Sequence, residues 1–208
     1  MKRRWMTLIS ATALLAAASH SARAEDAKAQ PKQENEFANK LYAADITKQK
    51  KTYACFVRQY DNAHLAKHPL QKVSAMKLLV TAEMVPEDEH LNHSFRLGVK
   101  FRHRSGNFDS SGGCGHVKLS DSESGKEHLG CSVDCDGGGI RMELTPDSKA
   151  TLVRLEAIRI WNNNKPDDEG LSLSGGADDR VFRLDRAPLE LCKSLVSDRQ
   201  ELAAMRHK

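Results

Sequence analysis

A segment rich in cysteine, glycine and alternating apolar residues, Gly112 to Leu144, constrains the fold more than any other part of the chain. Val117 and Leu119 alternate with polar residues, and Leu129 and Cys131 do the same a few positions later. An alternation with a period of two is typical of strands that bury one face. Because opposed residues of an antiparallel pair share a face, we expect a hairpin that sets Leu119 opposite Leu129 and Val117 opposite Cys131.

The N-terminus has the three parts of an export signal. Basic residues at positions 2–4 precede an apolar stretch from Leu8 to Ala18, and small residues at 22 and 24 form a cleavage motif. The apolar stretch is too short to span a bilayer. We therefore expect residues 1–24 to be a signal peptide that is cleaved after Ala24. The short basic start and the alanine-rich stretch are typical of bacteria, so the predicted location is periplasmic or secreted.

The charge balance argues against nucleic acid as a partner. The leader contains four of the 32 basic residues and none of the 28 acidic ones, so the rest of the chain carries equal numbers of each. A nucleic-acid-binding domain normally has a clear basic excess. No later apolar run is long enough to cross a membrane, and we therefore expect no membrane insertion. Residues 25–35 are small, polar or charged, which predicts a disordered leader.

Short alternating segments recur along the rest of the chain and are joined by turns, not helices. This pattern excludes a parallel sheet built from strand–helix–strand units. A short helix is expected from about Glu36 to Lys48, and another from Ala187 to about Arg206. We predict that residues 36–208 form a single domain that is mainly β. Its expected form is an antiparallel sandwich or small open barrel of about seven to eight strands, with the C-terminal helix packed on it.

The cysteines predict disulfide bonds, because all five lie in the part of the chain expected to be exported. The hairpin register turns Cys131 toward the core and brings Cys114 near Cys135. We therefore expect a Cys114–Cys135 bond and a free Cys131. A second bond, between Cys55 and Cys192, follows by exclusion and would connect the first strand to the last helix.

No motif gathers the many histidine, serine and acidic residues into a recognisable site. The cysteine and histidine spacing in the hairpin segment matches no paired zinc motif, and disulfides are the more typical use of cysteine outside the cytosol. There is no nucleophile elbow, phosphate loop or dinucleotide fingerprint. We therefore expect no metal and no cofactor. One catalytic alternative stays open, a hydrolase of unfamiliar type with His116, His128 and Asp134 on the outer face of the hairpin.

The main functional hypothesis is a non-catalytic binding or structural module of the cell envelope. The ionisable residues are spread over turns and outer strand faces, whereas an enzyme needs several of them in one concave site. Two features favour binding: the cationic strand face of Arg96, Lys100 and Arg102, and a long polar loop at 162–179. The expected partner is an envelope protein or a small ligand. Whether the three hairpin residues converge in a closed pocket distinguishes the hydrolase from the binding module.

Overall fold

A computed structural model describes residues 35–85, 90–118, 127–165 and 169–205. The expected signal peptide lies outside these ranges, and so does the expected leader apart from its last residue, Asn35, which is helical. None of the helices in the described ranges is long and apolar enough to cross a membrane.

Nine strands and three short helices make up the described chain, together with two 3₁₀ segments, Ile46–Lys48 and Leu189–Leu195. The helices are α1 (35–42), α2 (Asn62–Lys67) and α3 (Arg199–Ala204). The strands are β1 (Lys51–Gln59), β2 (Val73–Val85), β3 (His90–Phe101), β4 (Phe108–Lys118), β5 (Glu127–Ser132), β6 (Gly138–Leu144), β7 (Ala150–Asn162), β8 (Leu171–Ser174) and β9 (Val181–Ala187).

The strands form one antiparallel sheet that closes in a ring. Strands β1 to β7 are neighbours in chain order, and β9 closes the ring by pairing with both β7 and β1. The short strand β8 pairs with the second half of β7. The predicted fold class, a mainly antiparallel β domain with a short helix at each end, is confirmed. The sheet has one strand more than the seven or eight expected, and it is closed.

The inner face of the ring holds the main core, and α1 packs into the same core. Phe37, Leu41 and Tyr42 of α1 are buried there with the inward residues of the strands. The helix ends at Ala43, which has a positive φ of 50°. The expected helix to Lys48 is therefore replaced by α1 and the separate 3₁₀ segment.

The C-terminal part of the chain covers the outer face of β1 and β2. Tyr53, Cys55 and Leu79 are buried there against Cys192 and Val196 in a second apolar cluster. A single helix from 187 to 206 was expected, but the chain has a 3₁₀ segment and α3 with an extended break between them. The break ends where the Asp198 carboxylate accepts a hydrogen bond from the Glu201 N–H at 2.7 Å, which caps α3.

Candidate functional site

The β4–β5 hairpin is paired three residues away from the predicted register. Cys114 lies opposite Cys131, and Val117 lies opposite His128 instead of Cys131. Leu119, the other apolar residue used in the prediction, lies outside the described residues. An odd shift exchanges the two faces of a strand. The inner face of β4 therefore carries Cys114 and His116.

The hairpin disulfide follows from this register. Cys114 is bonded to Cys131, with 4.0 Å between their Cα atoms, so the expected Cys114–Cys135 bond is wrong. The free thiol belongs to Cys135, which is exposed, and not to Cys131. The second bond joins Cys55 of β1 to Cys192, which is the pair that the sequence analysis expected.

The three residues of the hydrolase hypothesis do not come together. His116 is opposite Leu129, and His128 is the next residue along β5, so the two histidines lie on opposite faces of the sheet. His116 packs inside the ring, where its ring centroid is 5.4 Å from that of Phe37. His128 is buried on the other face, and Asp134 is exposed in the turn before β6. These positions do not form one catalytic site.

A small polar cluster lies inside the ring next to α1. The hydroxyl of Tyr42 and Nδ1 of His93 are hydrogen-bonded at 2.9 Å, and the ring of His116 meets that of His93 edge-on at 5.3 Å. Burial, and secondarily the charge that His116 would carry, lowers the pKa of His93 to about 4. Burial also raises the pKa of Tyr42 well above its ordinary value. Tyr42 and His93 are therefore an uncharged core pair at neutral pH.

No metal centre is formed in the described ranges of the chain. None of the histidine, cysteine, aspartate and glutamate side chains there gather in a group of three or more suited to a metal ion. The cysteines of the hairpin are joined in a disulfide, which removes the thiolates that a zinc site would use.

The three cationic residues predicted to bind a partner have different environments. Arg96 donates hydrogen bonds of 3.1 and 2.8 Å to the two carboxylate oxygens of Glu201 on α3. Arg102 donates to two backbone carbonyl groups at the end of α2. The side chain of Lys100 is exposed and makes no ion pair or hydrogen bond with the described residues. Replacing Arg96 or Arg102 would therefore disturb packing as well as surface charge, whereas Lys100 is available for binding.

A groove of about 780 Å³ lies beside Lys100 and Arg102. Parts of β1 and β2, the end of β3, α2 and the C-terminal 3₁₀ segment surround it. Its apolar lining includes Val57, Phe101 and Leu191, and Leu191 is 48% exposed. The basic residues that line it are Arg58, Lys77, Lys100, Arg102 and His103, and the lining contains no acidic residue among the described positions.

Local contacts neutralise only part of this positive charge. Arg58 is paired with Asp185, with 3.0 Å between Nη1 and Oδ2. Lys77 donates to the neutral hydroxyl of Ser194 at 3.2 Å, and Asp109 lines a smaller pocket beside Lys77 and Lys100 without forming an ion pair with either. In the β2–β3 register Lys77 and Lys100 are diagonal neighbours on the outer face. The groove therefore presents two adjacent ammonium groups beside the apolar side chains of its lining.

Lys100 and Arg102 of this groove were predicted from the sequence, whereas Arg58, Lys77, His103 and Leu191 were not. A signal for Lys77 was present, because it is a single cation in the apolar run of β2. Placing it beside Lys100 requires the β2–β3 register, which the alternation of β2 alone does not determine.

The chain matches no protein-family model, and no curated protein or solved structure is significantly similar to it. The function has to be inferred from the side chains themselves. Among the described residues, the basic groove is the feature whose geometry and charge are best suited to a ligand.

Proposed function

We propose that the protein is an exported, non-catalytic binding module of the bacterial cell envelope that holds an anionic ligand in the groove beside Lys77 and Lys100. The observation that carries this proposal is the charge of the groove, with five basic and no acidic residues among its described lining. A cleft lined by one sign of charge concentrates ligands of the opposite sign. The ligand is a small molecule or a segment of an envelope protein that carries an acidic group.

Two disulfide bonds fit an exported protein, since such bonds persist in oxidising compartments. The signal-peptide pattern at residues 1–24 supports the periplasm or the cell exterior as the location. A binding module in that compartment meets carboxylates, phosphates and acidic protein segments.

The groove favours an anion with an apolar part over a bare inorganic anion. Exposed ion pairs contribute only about 0–1 kcal/mol each and weaken as salt screens them. Apolar contact adds about 25 cal/mol for each Å² removed from water. Val57, Phe101 and the half-exposed Leu191 supply such contact next to the two lysines. We therefore expect an amphipathic anion to bind more tightly than phosphate or sulfate.

The test uses anilinonaphthalene sulfonate, which joins an apolar ring system to a single negative charge. Its fluorescence is titrated with the wild type and with the double variant Lys77→Glu/Lys100→Glu. We expect the variant to bind about tenfold more weakly at low salt, because two attractive charges become repulsive. Phenylnaphthylamine, an uncharged relative of the same probe, should bind the two proteins equally.

A charge-matched control separates the groove from the net charge of the protein. Lys149 and Arg154 are exposed and lie outside the lining of the groove. The variant Lys149→Glu/Arg154→Glu changes the net charge by the same amount and should bind the sulfonate like the wild type. Equal binding of the sulfonate by the wild type and by Lys77→Glu/Lys100→Glu, with both proteins folded by circular dichroism, would exclude the groove as the anion site.

A further inference from the structure

Strand β8 has one edge without a partner strand in the described part of the chain. It pairs with β7 along one side, and no strand lies on the other. Strand β9 pairs with the same side of β7 as β8 does. On its other edge, residues 185–187 of β9 pair with β1. Strand β1 ends at Gln59, however, and the chain then forms α2. The strand position next to β8 is therefore open.

A cavity of about 350 Å³ borders β8. All four residues of β8 line it, and residues 69–72 line it as well. A strand of this length extends about 13 Å, so a short extended peptide matches it. Native proteins usually protect a free sheet edge by a short edge strand, which β8 is, and by charged residues or proline. The sequence Leu-Ser-Leu-Ser of β8 contains neither, which leaves its backbone N–H and C=O groups open to pairing.

The exposed ionisable side chains that line the cavity are basic. Lys72, His103 and Arg104 line it, and none of its described lining residues is acidic. Asp178 and Asp179 belong to the loop before β9, and their carboxylates accept hydrogen bonds from backbone N–H groups of residues 70 and 72 at 3.1 and 2.8 Å. Asp179 is buried and Asp178 is partly buried against these amides, whereas Lys72, His103 and Arg104 are exposed.

We propose that an acidic segment of a partner protein binds here in an extended conformation and adds a strand to β8. A row of exposed backbone donors and acceptors, otherwise hydrated by water, is matched along its length by another extended polypeptide. The basic lining selects acidic side chains, and Leu70, which is 63% exposed, offers an apolar contact to alternate residues of the peptide. The inference goes beyond the proposed function, because it places an acidic ligand on a second surface that has its own basic lining.

The probe is a fluorescently labelled peptide, acetyl-Glu-Val-Glu-Val-Glu-Val-amide, and binding is measured by anisotropy. Two further peptides carry N-methyl groups on one or the other alternate set of backbone amides. In a strand, alternate amides point to opposite sides. We expect one N-methylated peptide to bind about tenfold more weakly and the other to bind like the parent. Equal binding of all three peptides, or equal binding of an analogue with Lys for Glu, would overturn the proposal.

Hydrogen exchange locates the bound peptide. Peptide binding should slow amide exchange in residues 171–174, and Lys72→Glu/Arg104→Glu should weaken binding by about tenfold. The control variant Lys149→Glu/Arg154→Glu should bind normally. Unchanged exchange in β8 at saturating peptide would contradict strand addition. Protection of β8 that rises with protein concentration without peptide would identify a second copy as the occupant, and would overturn the proposal of a partner protein.

The two proposals fail separately. If the wild type and Lys77→Glu/Lys100→Glu bind the sulfonate equally but the peptide still protects β8, the groove site is wrong and strand addition stands. If Lys77→Glu/Lys100→Glu abolishes binding of the sulfonate but no peptide protects β8, the groove site stands and strand addition is wrong.

Discussion

At Gly112, strands β4 and β5 approach so closely that a side chain does not fit. A Cβ atom there would overlap the carbonyl group of Ser132, whereas a Cβ at Gly113 would meet nothing within 4 Å. We expect Gly112→Ala to lower the free energy of unfolding by about 1–3 kcal/mol, because one strand has to move. Gly113→Ala should change it by less than about 1 kcal/mol. Urea unfolding followed by circular dichroism measures both. Equal destabilisation by the two substitutions would show that the close approach of the strands at Gly112 does not determine the loss of stability.

The same strand explains why the hairpin register could not be predicted from the sequence. The inward positions of β4 include Ser110, Gly112, Cys114 and His116, which are small or polar. Alternation of apolar residues is a guide to the buried face only when that face is apolar. Val117 and Leu119 therefore suggested the opposite face, and the wrong cysteine pair followed. The Cys55–Cys192 pair was correctly expected because it depended on exclusion, not on register.

At the scale of elements, the long strands were predictable and the short segments were not. β3 buries Phe95, Leu97 and Val99 on one face, as its alternation indicated. β8 lies inside the stretch 162–179 that was interpreted as a loop. Its four residues are too few for a periodic pattern, and β7 provides the hydrogen bonds that make them a strand. The open edge of β8 therefore could not be predicted from the sequence.

The disulfide between β1 and the C-terminal segment should stabilise the fold more than the one inside the hairpin. Cys55 and Cys192 are 137 residues apart, and Cys114 and Cys131 are 17 apart. The chain-entropy estimate is about 5 kcal/mol for the longer loop and about 3 kcal/mol for the shorter. We expect Cys55→Ser/Cys192→Ser to lower the free energy of unfolding more than Cys114→Ser/Cys131→Ser. Urea unfolding without reductant compares the two variants.

A second readout tests whether the C-terminal segment is held by that bond. This segment covers Tyr53 and Leu79 on the outer face of the sheet. Without the bond, amide exchange in residues 189–205 should speed up more than exchange in β4, which lies away from it. A larger stability loss in the hairpin variant, with unchanged exchange at the C-terminus, would contradict this prediction.

At the scale of the molecule, the antiparallel class was predictable and closure of the sheet was not. Short turns between successive strands imply antiparallel neighbours. Closure depends on the pairing of β9 with β7 and with β1, and β1 and β9 are distant in sequence. The basic groove is a further consequence of that assembly, because its lining comes from three strands, α2 and the C-terminal 3₁₀ segment. Sequence alone identified two of its five basic residues.

The closed ring buries its interior side chains, which makes a charge there unfavourable. The pKa of His93 shows this effect. This side chain is 7% exposed inside the ring and is hydrogen-bonded to Tyr42. Burial is the first cause that lowers its pKa from 6.5 to about 4. The unfolded chain therefore binds a proton at a higher pH than the folded one. The contribution of His93 to stability is complete above about pH 6.5 and is lost as the pH falls toward about 4.

We expect the free energy of unfolding to fall by about 1 kcal/mol per pH unit between roughly pH 6.5 and pH 5 because of this group. Above about pH 6.5, His93 should add nothing to the pH dependence of the free energy of unfolding. His93→Gln removes the titrating imidazole and keeps a polar side chain, so its stability should depend less on pH in the same window. His103 is exposed, and His103→Gln should keep the wild-type slope. Urea unfolding at several pH values measures all three proteins, and an unchanged slope in His93→Gln would show that the interior of the ring accepts the proton without loss of stability.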